Sequence, residues 1–253
     1  MLELDVEDIH LWCVFYEQIH DPLLLARYDA LLSPAERERM QRFHFAKDRH
    51  CFLVSRVLVR TALSRYSSVA PQQWSFHASP HGKPRIANGE LDAQDLSFNL
   101  SHTQGMVVLG LTRRMALGVD VENMVHRAAP LDVAERFFSR AEVAQLHALP
   151  VAQRQERFFR LWTLKESYIK ARGLGLSIPL DRFGFDFTEE GVAKMSIDRE
   201  LNDDSAGWRF WQCRPSADHL LAVCSAHGGR AGRKLVVKNI VPLTGAESLI
   251  AIV

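Results

Sequence analysis

LLSPAERERM (31–40) and FFSRAEVAQL (137–146) open two helices in the same way. In each, a serine is followed three residues later by a glutamate: Ser33 and Glu36 in the first, Ser139 and Glu142 in the second. That spacing lets the serine hydroxyl and the glutamate carboxylate satisfy the free amides of a helix start reciprocally. Pro34 at the first helical position reinforces the earlier start. Each short helix leads to a longer one with an apolar stripe, CFLVSRVLVRTALSRY (51–66) and RFFRLWTLKESYIKA (157–171). Ser33 and Ser139 are 106 residues apart, and so are Phe52 and Phe158. A buried strand, IHLWCVFY (9–16), precedes the first helices, and short strands around WSFHA, PRIA, LSFNLSH and MVVLGLT follow them. FGFDFT, VAKMSI, WRFWQCR and LLAVCSA follow in the same order after the second pair. The sequence therefore reads as an α+β protein built by pseudo-twofold duplication, with two similar halves facing each other. The expected divisions are 1–116, 117–227 and a tail, 228–253, made of a Gly and basic linker (GGRAGRK, 228–234) and a short terminal strand or arm.

Bulk composition narrows the function classes. The 31 basic and 30 acidic side chains nearly cancel, so an anionic partner must be drawn by a local patch. No nucleic-acid motif accompanies the one basic stretch, residues 36–65, which sets eight basic side chains against three acidic ones. Cys13, Cys51, Cys213 and Cys224 are far apart and form no C-x-x-C pair, so reduced thiols are expected. The first residues carry acids where a signal peptide carries a basic region, and no apolar run approaches the roughly 18 residues that span a membrane. A cytoplasmic protein without a membrane segment is expected.

Several segments carry groups suited to chemistry, each with an ordinary structural alternative. In GVDVE (118–122), strand alternation sends Asp120 and Glu122 to one face. Two carboxylates there repel unless a cation lies between them, and magnesium suits such oxygen ligands; solvated acids on an edge strand are the alternative. Trp162, Glu166 and Lys170 lie four residues apart on one helix face, and Glu166 can add a third carboxylate or simply form a surface ion pair with Lys170. Lys165 points about 100° away and need not share that site. SHTQG (101–105) ends an apolar strand with Ser101 and His102, a phosphate contact or a plain turn. In SPHGKPR (79–85), Lys83 is held extended before Pro84.

In order, S-P-A-E-R-E-R, G-K-P, F-N-L-S-H, G-V-D-V-E, F-F-S-R-A-E and W-T-L-K-E-S-Y-I-K-A-R-G-L-G-L resemble the Sfp-type (surfactin-type) 4′-phosphopantetheinyl transferases from about residue 31 to 226. The resemblance implies a duplicated fold with the active site between its halves. It implies transfer of the phosphopantetheine arm of coenzyme A to a serine of an apo acyl, peptidyl or aryl carrier protein, with release of 3′,5′-ADP. It further implies magnesium held by Asp120, Glu122 and Glu166, with Glu166 also the base and Lys170 serving the leaving phosphate. Ser101 and His102 are implied to contact the coenzyme A phosphates, Lys83 and Pro84 to flank its nucleotide, and Arg39 to hold its 3′-phosphate. The first half would then bind coenzyme A, the second would carry metal and catalysis, and one chain would act as a monomer. Glu36 stands where some relatives place a lysine. The carrier is expected to dock near VHRAAPLDVAERFF (125–138). Two other readings stay open at this level: a non-catalytic coenzyme A or carrier-binding relative, and another magnesium-dependent nucleotide enzyme.

Overall fold

The computed structural model describes residues 1–126, 128–188, 191–226 and 234–251. Of the linker expected at 228–234, all but Lys234 lies outside the described residues. The first half runs strand β1 (Ile9–Val14), helices α1 (Pro22–Leu31), α2 (Pro34–Gln41) and α3 (Ala46–Leu63), then a small hairpin of β2 (Phe76–Ala78) and β3 (Pro84–Ile86). A single turn, α4 (Leu91–Gln94), leads into the long hairpin β4 (Leu96–Thr103) and β5 (Met106–Arg113). The second half repeats this plan with β6 (Leu117–Asn123), α5 (Leu131–Phe137), α6 (Arg140–Ala148), α7 (Val151–Arg172), the hairpin β7 (Phe183–Phe187) and β8 (Ala193–Ile197), and the hairpin β9 (Trp208–Cys213) and β10 (His219–Ala226). In both halves the first strand pairs antiparallel with the last, and the last with its predecessor, giving the orders β1-β5-β4 and β6-β10-β9. Both capping boxes form: the hydroxyls of Ser33 and Ser139 accept from the amides of Glu36 and Glu142, whose carboxylates accept from the serine amides.

Strand alternation sorts the side chains into layers. Trp12 and Val14 of β1 enter the core under α1 and α3, whereas Ile9, Leu11 and Cys13 enter a second core with Leu117, Val119 and Val121 of β6. Leu220, Ala222 and Cys224 of β10 face α7 in a third core. The two sheets thus stack face to face in the middle, with each half's helices outside. Because Leu117, Val119 and Val121 face the other sheet, the intervening Gly118, Asp120 and Glu122 face α7.

The terminal arm joins the first sheet. Strand β11 (Leu235–Ile240) runs parallel beside β1, and β12 (Glu247–Leu249) pairs antiparallel with it, so the complete order is β12-β11-β1-β5-β4. Lys238 sits 5.3 Å from the Trp12 ring and Arg65 lies 2.7 Å from Glu247. At the seam between halves, β4 meets β6 through side chains. Asn99 Oδ1, Ser101 Oγ and Thr103 Oγ1 accept hydrogen bonds from the amides of Val119, Val121 and Asn123 at 2.8, 3.3 and 3.2 Å. Alternate residues of β4 therefore satisfy alternate amides of β6, at an edge where unpaired donors would be costly.

Candidate active site

The site begins with a close approach of helix to strand. A Cβ at Gly118 would lie 1.9 Å from the Ser167 carbonyl oxygen and 2.4 Å from the Ala171 amide nitrogen of α7. Only glycine on β6, opposite small residues on α7, permits that contact. It presses the helix-facing Asp120 against the last turns of α7. Asp120 is 5% exposed, and its Oδ1 accepts from Lys170 Nζ at 2.6 Å and from Ser101 Oγ at 3.2 Å. Lys170 also donates to Ser101 Oγ at 3.0 Å. Ser101, Asp120 and Lys170, read from three separate motifs, therefore form one hydrogen-bonded cluster at the seam.

Glu166 lies one turn before Lys170 and is half-buried. Burial first, and then the charge of Asp120, raise its pKa above the ordinary carboxylate value, with Lys170 opposing them. Glu122, two residues beyond Asp120 on the same face of β6, is also half-buried. Among the described residues, no three carboxylate, imidazole or thiol groups are gathered as a ready-made metal cluster, and the Lys170 ammonium holds one oxygen of Asp120. The donor set nevertheless fits a divalent cation. Asp120 Oδ2 is buried without a hydrogen-bond partner, and the neighbouring Glu166 is destabilised in its charged form by that same carboxylate. A hard cation with open coordination positions relieves both.

Beside the seam, the first half holds a cavity of about 1120 Å³ between α2, α3, the β2–β3 hairpin and the end of β4. Arg39, Arg56, Arg60, Phe76, Pro84 and His102 line it. Glu36 organises the basic wall, with Arg56 Nε 2.6 Å and Arg60 Nη2 2.7 Å from its carboxylate oxygens. Burial pushes the Glu36 carboxyl up, but Arg56, the Ser33 amide and Arg60 outweigh it and hold it below the usual range. A glutamate in this place therefore arranges arginines rather than repelling an anion. Arg39 leans over Phe52, its guanidinium carbon 5.7 Å from the ring centre. His102 is held below the usual imidazole range, chiefly by burial and next by Lys170. Asp120, Glu166 and Lys170 do not line the cavity, and His102 joins the two regions: it lines one and feels the charges of the other.

Three expected positions are sharpened. Pro84 lines the cavity, but Lys83 does not; its ammonium donates to the carbonyls of Leu117, Lys170 and Ala171. The backbone of Lys83 still lies between Gly82 and Pro84, which both line the cavity. Lys165 is fully buried and turned away from the site, donating to the Leu180 and Phe183 carbonyls at 2.8 and 2.6 Å and lying 2.8 Å from Glu142. Trp162 stacks on Phe158 with ring centres 6.0 Å apart and is a packing residue. The residues missed by sequence reading are Asn99 and Thr103, whose polar alternation with Ser101 along β4 was the available signal.

Residues 116–224 match the 4′-phosphopantetheinyl transferase superfamily, and residues 24–113 match the N-terminal region of a 4′-phosphopantetheinyl transferase. The chain is 33% identical over 201 residues to the 4′-phosphopantetheinyl transferase Sfp of Bacillus subtilis, covering 79% of this chain and 85% of that one. It is 35% identical over 228 residues to the 4′-phosphopantetheinyl transferase HetI of a Nostoc species, covering 90% and 92%. A phosphopantetheinyl transferase of a Thraustochytrium species is 34% identical over 219 residues, covering 82% and 74%. The chain belongs to the 4′-phosphopantetheinyl transferase family.

Proposed function

We propose that this chain transfers the 4′-phosphopantetheine arm of coenzyme A to a serine hydroxyl of an apo acyl, peptidyl or aryl carrier protein, releasing 3′,5′-ADP. The observation that carries the reading is the seam cluster of Ser101, Asp120 and Lys170, with the raised-pKa Glu166 beside it, adjoining an arginine-walled cavity. The cavity suits the nucleotide: Arg39 takes the 3′-phosphate and Pro84 packs beside the base. His102, with Ser101, takes the pyrophosphate toward the seam.

Chemistry follows from the charges. The carrier serine oxygen forms a bond to the phosphorus that bears the pantetheine arm, and the bond from that phosphorus to the 3′,5′-ADP oxygen breaks. Glu166 accepts the serine proton, a task helped by a pKa raised above the ordinary carboxylate value. Lys170 neutralises the oxygen that leaves with 3′,5′-ADP, and Ser101 and Asp120 hold its ammonium in place. Magnesium, when bound, supplies further charge neutralisation at the pyrophosphate, and Asp120, Glu122 and Glu166 are the residues that would hold it.

In this reading residues 1–116 bind the nucleotide and residues 117–227 supply the reacting groups. One chain contains both and works as a cytoplasmic monomer, with no nucleic-acid or membrane partner. No helix among the described residues is long and apolar enough to cross a membrane. The carrier docks at 125–138, beside the cavity rim that includes His126. The test mixes protein, magnesium, coenzyme A and an apo carrier, and reads carrier mass and nucleotide release. The expected result is a carrier heavier by one phosphopantetheine, with 3′,5′-ADP formed only when the carrier is present. Nucleotide cleavage without a carrier, or binding without any product, would contradict the reading.

A further inference from the structure

The motif R-G-L-G-L (172–176) at the end of α7 has no role in the chemistry above, and neither does the ammonium of Lys83. The structure brings them together. The turn at residues 79–83 is tied by hydrogen bonds from the Ser79 amide to the Lys83 carbonyl, 2.8 Å, and from the Lys83 amide to Ser79 Oγ, 3.0 Å. From this tip the Lys83 side chain crosses the seam. Its Nζ donates to the Lys170 carbonyl at 2.6 Å and to the Leu117 carbonyl at 2.9 Å, with the Ala171 carbonyl at 3.4 Å. Carbonyls in the last turn of a helix lack intrahelical partners and carry partial negative charge, so an ammonium suits them.

Room for the crossing comes from Gly173, which ends α7 in the left-handed conformation at φ 67°. A Cβ there would lie 3.2 Å from Lys83 Cδ. Leu117 and Lys170 are not arbitrary anchors: Leu117 starts the strand that carries Asp120, and Lys170 is the proposed leaving-group partner. Lys83 itself lies between Gly82 and Pro84, both of which line the nucleotide cavity. Burial, and next the neighbouring Arg85, lower the Lys83 pKa to about 8, as expected for an ammonium withdrawn from solvent into the seam.

We propose that Lys83 is a positioning residue: it clamps the cavity-lining hairpin of the first half to β6 and α7, and so sets the register between bound coenzyme A and the reacting groups Asp120, Glu166 and Lys170. This rests on the transferase reading for its catalytic consequence, while the clamp itself is measurable without turnover. K83M, K83R and G173A are compared with the wild-type chain in three measurements: coenzyme A affinity by calorimetry, transfer kinetics on an apo carrier, and amide hydrogen exchange of the free protein. A misplacement of about 1 Å is enough to slow chemistry strongly, so K83M and G173A should lower kcat at least about tenfold with coenzyme A affinity within about twofold. Exchange should quicken at 117–118 and 170–173 and stay unchanged in α3. K83R, which keeps the cation and its donors, should recover most of kcat. G173A crowds Lys83 without removing its charge but also strains the left-handed backbone at 173, so its exchange is read at 117–118 alone, and that reading carries the test if K83M does not fold. Loss of coenzyme A affinity in K83M with unchanged kcat and exchange would overturn the clamp in favour of a direct nucleotide contact. Unchanged exchange at both anchors would overturn it too. A wild-type chain that transfers nothing would sink the transferase reading, while the exchange measurement would still decide the clamp.

Discussion

Each half places a capping glutamate on a short helix and pairs it with a buried cation from the long helix that follows. In the second half, Glu142 meets Lys165, with side chains 2% and 0% exposed, and Lys165 spends its other hydrogen bonds on carbonyls entering the β7–β8 hairpin. In the first half, Glu36 meets Arg60, and Arg60 donates to the Pro71 and Trp74 carbonyls entering the β2–β3 hairpin. These are the same device, yet they differ by one residue in register: the 106-residue spacing places Arg60 opposite Glu166, not Lys165. With its cation one position earlier, the second half has position 166 free for a carboxylate facing Asp120. The first half keeps the cation, adds Arg56 to the same glutamate, and leaves the pair facing a cavity. One scaffold thus yields an arginine-lined wall in one half and a cluster of carboxylates around Lys170 in the other.

Exchanging the charge at the matched positions is the strongest way to break this comparison. E166Q should reduce holo-carrier formation by about 10³-fold or more, since it removes the proposed base, while leaving the thermal midpoint near wild type. R60M should do the reverse, lowering the midpoint while turnover per folded molecule falls far less. Equal effects on both properties in both variants would erase the distinction. Within the shared device, K165M leaves Glu142 buried without its ion partner and should cost about 3–5 kcal/mol in chemical denaturation. A cost near zero would mean that the pair is dispensable.

Smaller effects sharpen the roles of the first half. R39M should narrow the preference for coenzyme A over its 3′-dephospho form by about tenfold in dissociation constant, or 1.4 kcal/mol. An undiminished preference would place the 3′-phosphate elsewhere. A pH dependence at Lys83 completes the set. Its pKa is about 8 in the folded chain against an ordinary 10.5, so between those values the unfolded chain holds a proton that the folded one has lost. Stability therefore rises with pH across that window, and the full penalty applies below it. The stability of wild type relative to K83M, from urea melts, should increase from pH 8 to pH 10; a flat or falling difference contradicts an enclosed ammonium.

What could be read in the sequence was local or repeated. The capping boxes need four residues each, and their 106-residue spacing revealed the duplication before any pairing was known. Asp120 and Glu122 were placed on one face by alternation alone, and the structure shows that face turned to α7. Non-local features were not legible. Nothing in LVVKNIV says that it will lie parallel to β1, because a parallel pairing across more than 200 residues leaves no local pattern. Lys83 reads as a lysine held extended before Pro84, and where its ammonium ends is settled only when the C-terminal turn of α7 is brought beside it. Asn99 and Thr103 became meaningful only once the edge of β6 lay opposite them. The metal role of Glu122 rests on family resemblance and its shared face with Asp120.

The division of labour between cavity and seam is tested most directly by K170A, with holo-carrier formation timed at saturating coenzyme A and coenzyme A affinity measured on the same preparation. Lys170 belongs to the seam and does not line the cavity. The turnover number should fall at least about a hundredfold with the dissociation constant nearly unchanged. An unchanged turnover number with weakened coenzyme A binding would contradict the account, making Lys170 part of the binding wall and leaving the seam without its leaving-group partner.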